Sequence, residues 1–186
     1  MHVKVQNKLI EVKKNKLYLG SLEIEDLSQI KGLEEICHLK NLNLFNNCIS
    51  SLEEFRSLHE LEILNLYGNN IRNLSGLEAL TKLKILYLSN NQIDKLSHLD
   101  TLQRLERLSF EDNKIVKIEG LDGLENLREL NLYGNQISQI KGLGKLHELK
   151  SLRIGKNPIP PRILDSLGGI DDQGYAIDVR RFVEYS

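Results

Sequence analysis

The chain has 186 residues, 40% of them hydrophobic, which is enough to bury a sizeable core as one domain or one continuous array and excludes a disordered chain. Lysine and arginine total 25 against 26 aspartates and glutamates, so no bulk charge draws the chain to nucleic acid or to an anionic membrane. Cys37 and Cys48 are the only cysteines, too few for a disulfide framework or a thiolate zinc site; they are expected to be reduced, semi-buried small hydrophobes.

The first twenty residues, "MHVKVQNKLIEVKKNKLYLG", contain neither the apolar core of a signal peptide nor a span of about twenty apolar residues suited to a membrane helix. A soluble, cytoplasmic protein is expected. Over residues 1–16, apolar positions alternate around the turn-like "QNK" and "KKNK", which predicts a β-hairpin cap closing an N-terminal edge. Lys4, Lys8, Lys13, Lys14 and Lys16 lie in this segment. They read as a solvated edge that discourages strand pairing, with an anion-binding patch as the alternative.

From residue 17 to residue 160 one phrase recurs. "LNLYGNNIR" at 64–72 is nearly repeated as "LNLYGNQIS" at 130–138, and "LYLSNNQID" at 86–94 shares the skeleton. Asn47, Asn69, Asn91, Asn113, Asn135 and Asn157 are each 22 residues apart, and apolar residues keep the frame LxxLxxLxLxxNxIxxL. Seven short strands are predicted, centred on Leu17, Leu42, Leu64, Leu86, Leu108, Leu130 and Leu152. In LxL the leucines point inward and the residue between them outward, and one such strand buries its apolar face only against stacked neighbours. Leucines three apart on the returning arm, such as Leu74, Leu77, Leu80 and Leu83, suit short 3₁₀-like turns. The six asparagines sit where the chain leaves the sheet. Their carboxamides are assigned a structural role, bonding main-chain groups that would otherwise be buried without partners.

On these residues the chain resembles the leucine-rich repeat family, in the 22-residue class typified by phosphatase regulatory subunits and shared by tubulin-folding and spliceosomal adaptors. The resemblance covers residues 17–160. It implies an α/β solenoid, a right-handed array of about seven coils with a parallel concave sheet, short 3₁₀ or turn segments on the convex side, and terminal caps. The first unit departs from the pattern: it runs 25 residues from Leu17 to Leu42 and has Leu22 in place of the asparagine.

After Asn157, "PIPPRILDSLGGIDDQGYAIDVRRFVEYS" breaks the repeat with prolines. Asp178 is placed to cap a short helix carrying Val179, Phe182 and Val183, so residues 161–186 are read as a helical cap on the last coil. This ending is similar to the terminal segments of some microbial leucine-rich repeat proteins and unlike the usual cap of the nuclear adaptors. The whole chain, 1–186, is thus expected to be a single repeat domain with a cap at each end.

Function is sought on the outward face of the sheet, since the fold does not specify it. Phe45, Tyr67, Tyr87 and Tyr133 fall there, with Ile63 and Ile85 beside the first three. Strands lie about 4.8 Å apart, so these side chains form a contiguous patch of the kind that marks a binding site; the alternative is cross-strand packing alone. Arg107, Glu111, Asp112 and Glu129 form a charged sector beside it, and Arg107 with Glu129 reads as an ordinary ion pair. The candidate partner-binding set is therefore Phe45, Ile63, Tyr67, Ile85, Tyr87, Arg107, Glu111, Glu129 and Tyr133.

Catalytic patterns are poor. "KGLGKL" at 141–146 lacks the first glycine of a phosphate loop, where Gln139 stands, and has Leu146 for the Ser or Thr. His2, His38, His59, His98 and His147 fall at scattered frames, so no metal site and no cofactor is expected. The reading is a non-enzymatic, monomeric protein-interaction scaffold or adaptor, and the resemblance implies a phosphatase, a small GTPase or a cytoskeletal protein as partner. The alternatives are self-association through the same patch and, less favoured because the outward columns are not basic, RNA binding.

Overall fold

The computed structural model describes residues 1–186. Each central leucine of the repeats lies in a three-residue strand: β3 (Lys16–Tyr18), β5 (Asn41–Asn43), β6 (Ile63–Asn65), β7 (Ile85–Tyr87), β8 (Arg107–Ser109), β9 (Glu129–Asn131) and β10 (Ser151–Arg153). They form one parallel sheet in chain order, and Leu17, Leu42, Leu64, Leu86, Leu108, Leu130 and Leu152 pair directly with one another along it. All seven are essentially inaccessible. Burying such a side chain stabilises by about 1.5–3 kcal/mol, and the 22-residue spacing repeats the gain in every coil.

The returning arms are 3₁₀ turns at Leu27–Gln29, Leu33–Glu35, Glu53–Ser57 and Leu77–Ala79, and plain turns thereafter. The spacing of three places one leucine per 3₁₀ turn on the core side. Coil separation there leaves no room for a side chain at the bend. Gly76 (φ 109°) and Gly142 (φ 85°) are both left-handed, and a Cβ would lie 2.0 Å from the Leu52 carbonyl oxygen at the first and 2.2 Å from that of Ile118 at the second.

The asparagines link each coil to the one before. Asn91 accepts the Ile71 N–H at 3.0 Å and donates to the Leu66 and Leu88 carbonyls, both at 3.0 Å. Asn69, Asn113, Asn135 and Asn157 repeat the same connections. Where the first coil has Leu22, Asn47 accepts from both Leu22 and Ile24 N–H, each at 3.0 Å. One carboxamide thus serves a coil with no asparagine of its own.

The core continues past the repeats at both ends, from Val3 to Phe182, as one cluster of buried hydrophobic side chains. At the N-terminus β1 (His2–Val5) and β2 (Lys8–Glu11) form an antiparallel hairpin. Its second main-chain partner is β4 (Ile30–Lys31), on the arm of the first coil, rather than β3. The hairpin covers the apolar end of the solenoid with Val3 and Val5 and leaves the sheet edge unpaired, because Lys16 is already turned back onto Lys13. At the C-terminus α1 (Pro161–Ser166) and α2 (Val179–Tyr185) follow the last coil. Asp178 accepts the Arg181 N–H at the start of α2, and Phe182 is fully buried. Between the helices the chain does something that helical periodicity did not foresee: Tyr175 bridges Arg153 in antiparallel fashion and adds main chain to the β10 edge. Cys37 and Cys48 are exposed, contrary to the semi-buried environment expected, because both lie at outward frames of their coils.

Candidate functional site

The outward face divides into two halves. Over β3 to β7 it is aromatic and aliphatic. Tyr18 is 56% exposed, Phe45 38%, Tyr67 41% and Tyr87 36%, whereas of the other repeat aromatics Phe55 and Phe110 are wholly buried and Tyr133 is half-buried. Ile63 and Ile85 are half-buried and directly paired across β6 and β7, and Asn65 pairs with Tyr87 in the same register. Tyr18 was absent from the sequence-based set although it stands in the same outward column as Tyr87.

Local chemistry holds these rings in place. The Asn43 side chain accepts the Phe45 N–H at 3.1 Å, Asn65 that of Tyr67 at 3.0 Å and Asn131 that of Tyr133 at 3.1 Å. An asparagine two residues before the aromatic therefore fixes the main chain that carries it, an i to i+2 bond typical of this residue. The Phe45 ring lies over Gly20, where a Cβ would stand 1.9 Å from the nearest ring carbon. Tyr133 lies likewise against Gly155 and Gly174.

Over β8 to β10 the face is polar, and the charged sector separates into two groups. Arg107 and Glu129 form an exposed ion pair at 3.2 Å. Glu111 instead faces Arg153, with Nη1 to Oε1 at 2.9 Å, and accepts a second bond from Asn131 at 2.9 Å. The Arg153 guanidinium sits 4.0 Å from the centre of the Tyr133 ring and 5.5 Å from that of Tyr175, and its Nε donates to the Gln173 carbonyl at 2.9 Å. Tyr133 and Glu111 are thus held by Arg153 and the C-terminal segment, and Tyr133 is no longer an exposed ring. Between the two groups lies a shallow depression of about 150 Å³, lined among others by Tyr87, Arg107, Ser109, Glu129, Arg153 and Tyr175. Tyr175 belongs to no repeat, so the repeat frame gave no reason to place it here. The turn-rich "DDQG" before it is the one signal that a strand-like return was coming.

Along one rim runs a column of alternating charge. Lys40 and Lys84 donate to the two carboxylate oxygens of Glu62 at 2.7 and 2.9 Å. These bonds, Lys40 first, hold the Glu62 carboxyl down at about 2, and Glu62 in turn raises the Lys40 ammonium. Lys82 bonds Glu60 at 2.6 Å and lowers its carboxyl in the same way. These are surface pairs that fix side chains beside the face. No three histidine, cysteine or acidic side chains converge to hold a metal ion, and no helix is long and apolar enough to cross a membrane.

The family model for a leucine-rich repeat region matches residues 16–167. Among solved structures, internalin C2 of Listeria monocytogenes superposes with a TM-score of 0.62 at 26% identity, covering 78% of this chain and 73% of that one. A leucine-rich repeat protein of Leptospira interrogans gives 0.68 at 28% identity, covering 78% of this chain. Internalin F of Listeria monocytogenes, at 22% identity and 0.59 over 88% of this chain, shares the fold. The chain spans 38% of the Leptospira protein and 56% of internalin F. No curated protein sequence matches it. The match over residues 16–167, with the asparagine ladder and the seven in-register leucines, places the chain in the leucine-rich repeat family.

Proposed function

We propose that the protein is a non-enzymatic interaction scaffold whose concave face, over β5 to β7, binds a partner protein. Leucine-rich repeat proteins generally act as protein-interaction scaffolds. The observation that carries the reading here is that Phe45, Tyr67 and Tyr87 stand exposed and contiguous, with Ile63 and Ile85 between them, on a sheet already rigid. A preformed surface loses little entropy on binding, and tyrosines are frequent energetic anchors. Arg107 and Glu129 flank the patch and supply orientation. Glu111 and Tyr133 act through Arg153, shaping the floor rather than touching the partner.

The role is regulatory or adaptor-like, exercised as a monomer in the cytoplasm, where the exposed thiols of Cys37 and Cys48 stay reduced. A phosphatase, a small GTPase or a cytoskeletal protein is the partner class that the 22-residue repeat type implies. Affinity capture from the native cell with the intact protein, run beside Tyr67→Ala/Tyr87→Ala, tests this reading. A partner retained by the first and lost by the second supports it. Equal retention by both moves the site elsewhere, and concentration-dependent mass of the protein alone would assign the patch to self-association.

A further inference from the structure

The seven-stranded sheet ends differently at its two edges. At β10 the Ile154 and Gly155 N–H groups donate to the Gly174 carbonyl and the Ala176 N–H donates to that of Leu152, so the edge is filled by the chain itself. At β3 nothing takes that place. The groups of the first coil that meet the second belong to alternate residues: the Asn15 carbonyl accepts from Lys40 and Asn41, the Leu19 N–H donates to Asn43, and the Ser21 N–H to Phe45. The residues between them point their main-chain groups the other way. Lys16 turns its pair back onto Lys13. Tyr18 and Gly20 are left with N–H and C=O aimed outward and unpartnered, whereas in the next coil the equivalent carbonyls of Asn43 and Phe45 both accept. The N-terminal hairpin does not reach them, since its free side pairs with β4.

An exposed strand edge is a template for another strand, and charge selects which one. Residues 1–16 carry five lysines against one glutamate. Lys13 is paired with Glu11 at 3.4 Å, while Lys14, in the turn leading into the edge, and Lys16, the first residue of β3, are exposed and take part in no ion pair. A second copy of the chain aligned in parallel would bring the same lysines against them, and like charges on adjacent strands repel. An acidic strand is attracted, and on the concave side it meets the exposed Tyr18 ring and the Phe45 ring that lies over Gly20. We propose that the β3 edge takes an extended acidic segment of a partner protein as an eighth parallel-sheet neighbour, bonded to the main chain of Tyr18 and Gly20 with Lys14 and Lys16 against its carboxylates. This surface adjoins the concave patch at Tyr18 but does not depend on the reading of that patch.

The test uses the full chain, isotopically labelled, and a short capped peptide of alternating glutamate and valine. Binding is expected to slow exchange of the Tyr18 and Gly20 amide protons, and the lysine–valine counterpart is expected not to bind. Two further peptides carry N-methyl groups, one on all valine amides and one on all glutamate amides, with charge unchanged. Strand addition needs the donors of only one of these sets, so one peptide binds normally and the other about tenfold more weakly or worse. Lys14→Glu/Lys16→Glu, at exposed positions, is expected to reverse the preference between the acidic and basic peptides. Tyr67→Ala/Tyr87→Ala is expected to leave peptide binding unchanged, which separates failure here from failure at the concave patch. Equal binding of both methylated peptides would reduce the effect to charge attraction and overturn the proposal. So would absence of protection at Tyr18, or a dimer of the chain alone in which the Tyr18 amide is already protected.

Discussion

At the scale of single residues, the array depends on side chains that bond main chain rather than ligands. Asn91 is buried, and its loss would leave the Ile71 N–H and the Leu66 and Leu88 carbonyls without partners in a space closed to water. Asn91→Ala is therefore expected to destabilise the protein by about 1–3 kcal/mol in chemical denaturation. An unchanged midpoint would show that other groups or water satisfy these positions. Glu62 makes a different case, because its contribution follows pH. Its carboxyl titrates at about 2 in the folded chain, below its ordinary 4.5, so its stabilising effect is fully present above the ordinary value and fades as pH falls toward 2. Glu62→Gln should cost at most about 1 kcal/mol near pH 7, as a surface pair does, and less in added salt. The difference between the two proteins should shrink as pH falls below 4.5 and be gone only below about pH 2; a pH-independent difference would mean that the carboxylate charge is not what Lys40 and Lys84 recognise. The asparagine frame was legible in the sequence because it recurs. The exposure of the two cysteines was not, since a cysteine is polar enough to sit at an outward frame and apolar enough to sit at an inward one.

At the scale of elements, six of the seven strands of the parallel sheet were legible from the 22-residue spacing and β3, 25 residues before β5, from its own LxL pattern, since stacked coils keep the inward leucines in direct register. Irregular chain at the two ends was less so. The hairpin over residues 1–16 could be anticipated from alternation, but its pairing with β4 could not, because Ile30 and Lys31 lie in a returning arm with no strand pattern of their own. The return of residues 174–176 onto β10 was likewise hidden in an aperiodic tail, and with it the partial covering of Tyr133 and Glu111 by Arg153. These contacts are why the C-terminal segment matters to the whole array. Removing residues 161–186 would uncover the leucines around Phe182 and Leu167 and reopen the β10 edge. We expect the truncated chain to melt lower and to associate in a concentration-dependent way, because a solenoid needs a polar terminal cover. Light scattering and thermal denaturation decide it: a truncated chain that stays monomeric with an unaltered melt would make the tail a separate functional element and not a cap.

At the scale of the whole molecule, the regular stack does two things together: it holds an apolar core closed from Val3 to Phe182, and it displays on the outer side of the same strands whatever residues the frame leaves free. Inward positions are nearly all leucine. Outward positions vary, and three of them place Phe45, Tyr67 and Tyr87 in the open. The two roles of these rings are separable in energy. Truncating an aromatic anchor at an interface centre costs about 2 kcal/mol or more of binding, so losing two weakens affinity by about a thousandfold. Cross-strand aromatic contacts stabilise a sheet by only about 0.2–1 kcal/mol each. The decisive measurement is therefore made on Tyr67→Ala/Tyr87→Ala beside the unaltered protein, with affinity for the captured partner determined by calorimetry and stability by denaturation of the same samples. Affinity is expected to fall about a thousandfold while stability falls by no more than about 2 kcal/mol. A variant that is strongly destabilised, yet binds with unchanged affinity in its folded fraction, would contradict the account and make these tyrosines part of the scaffold alone.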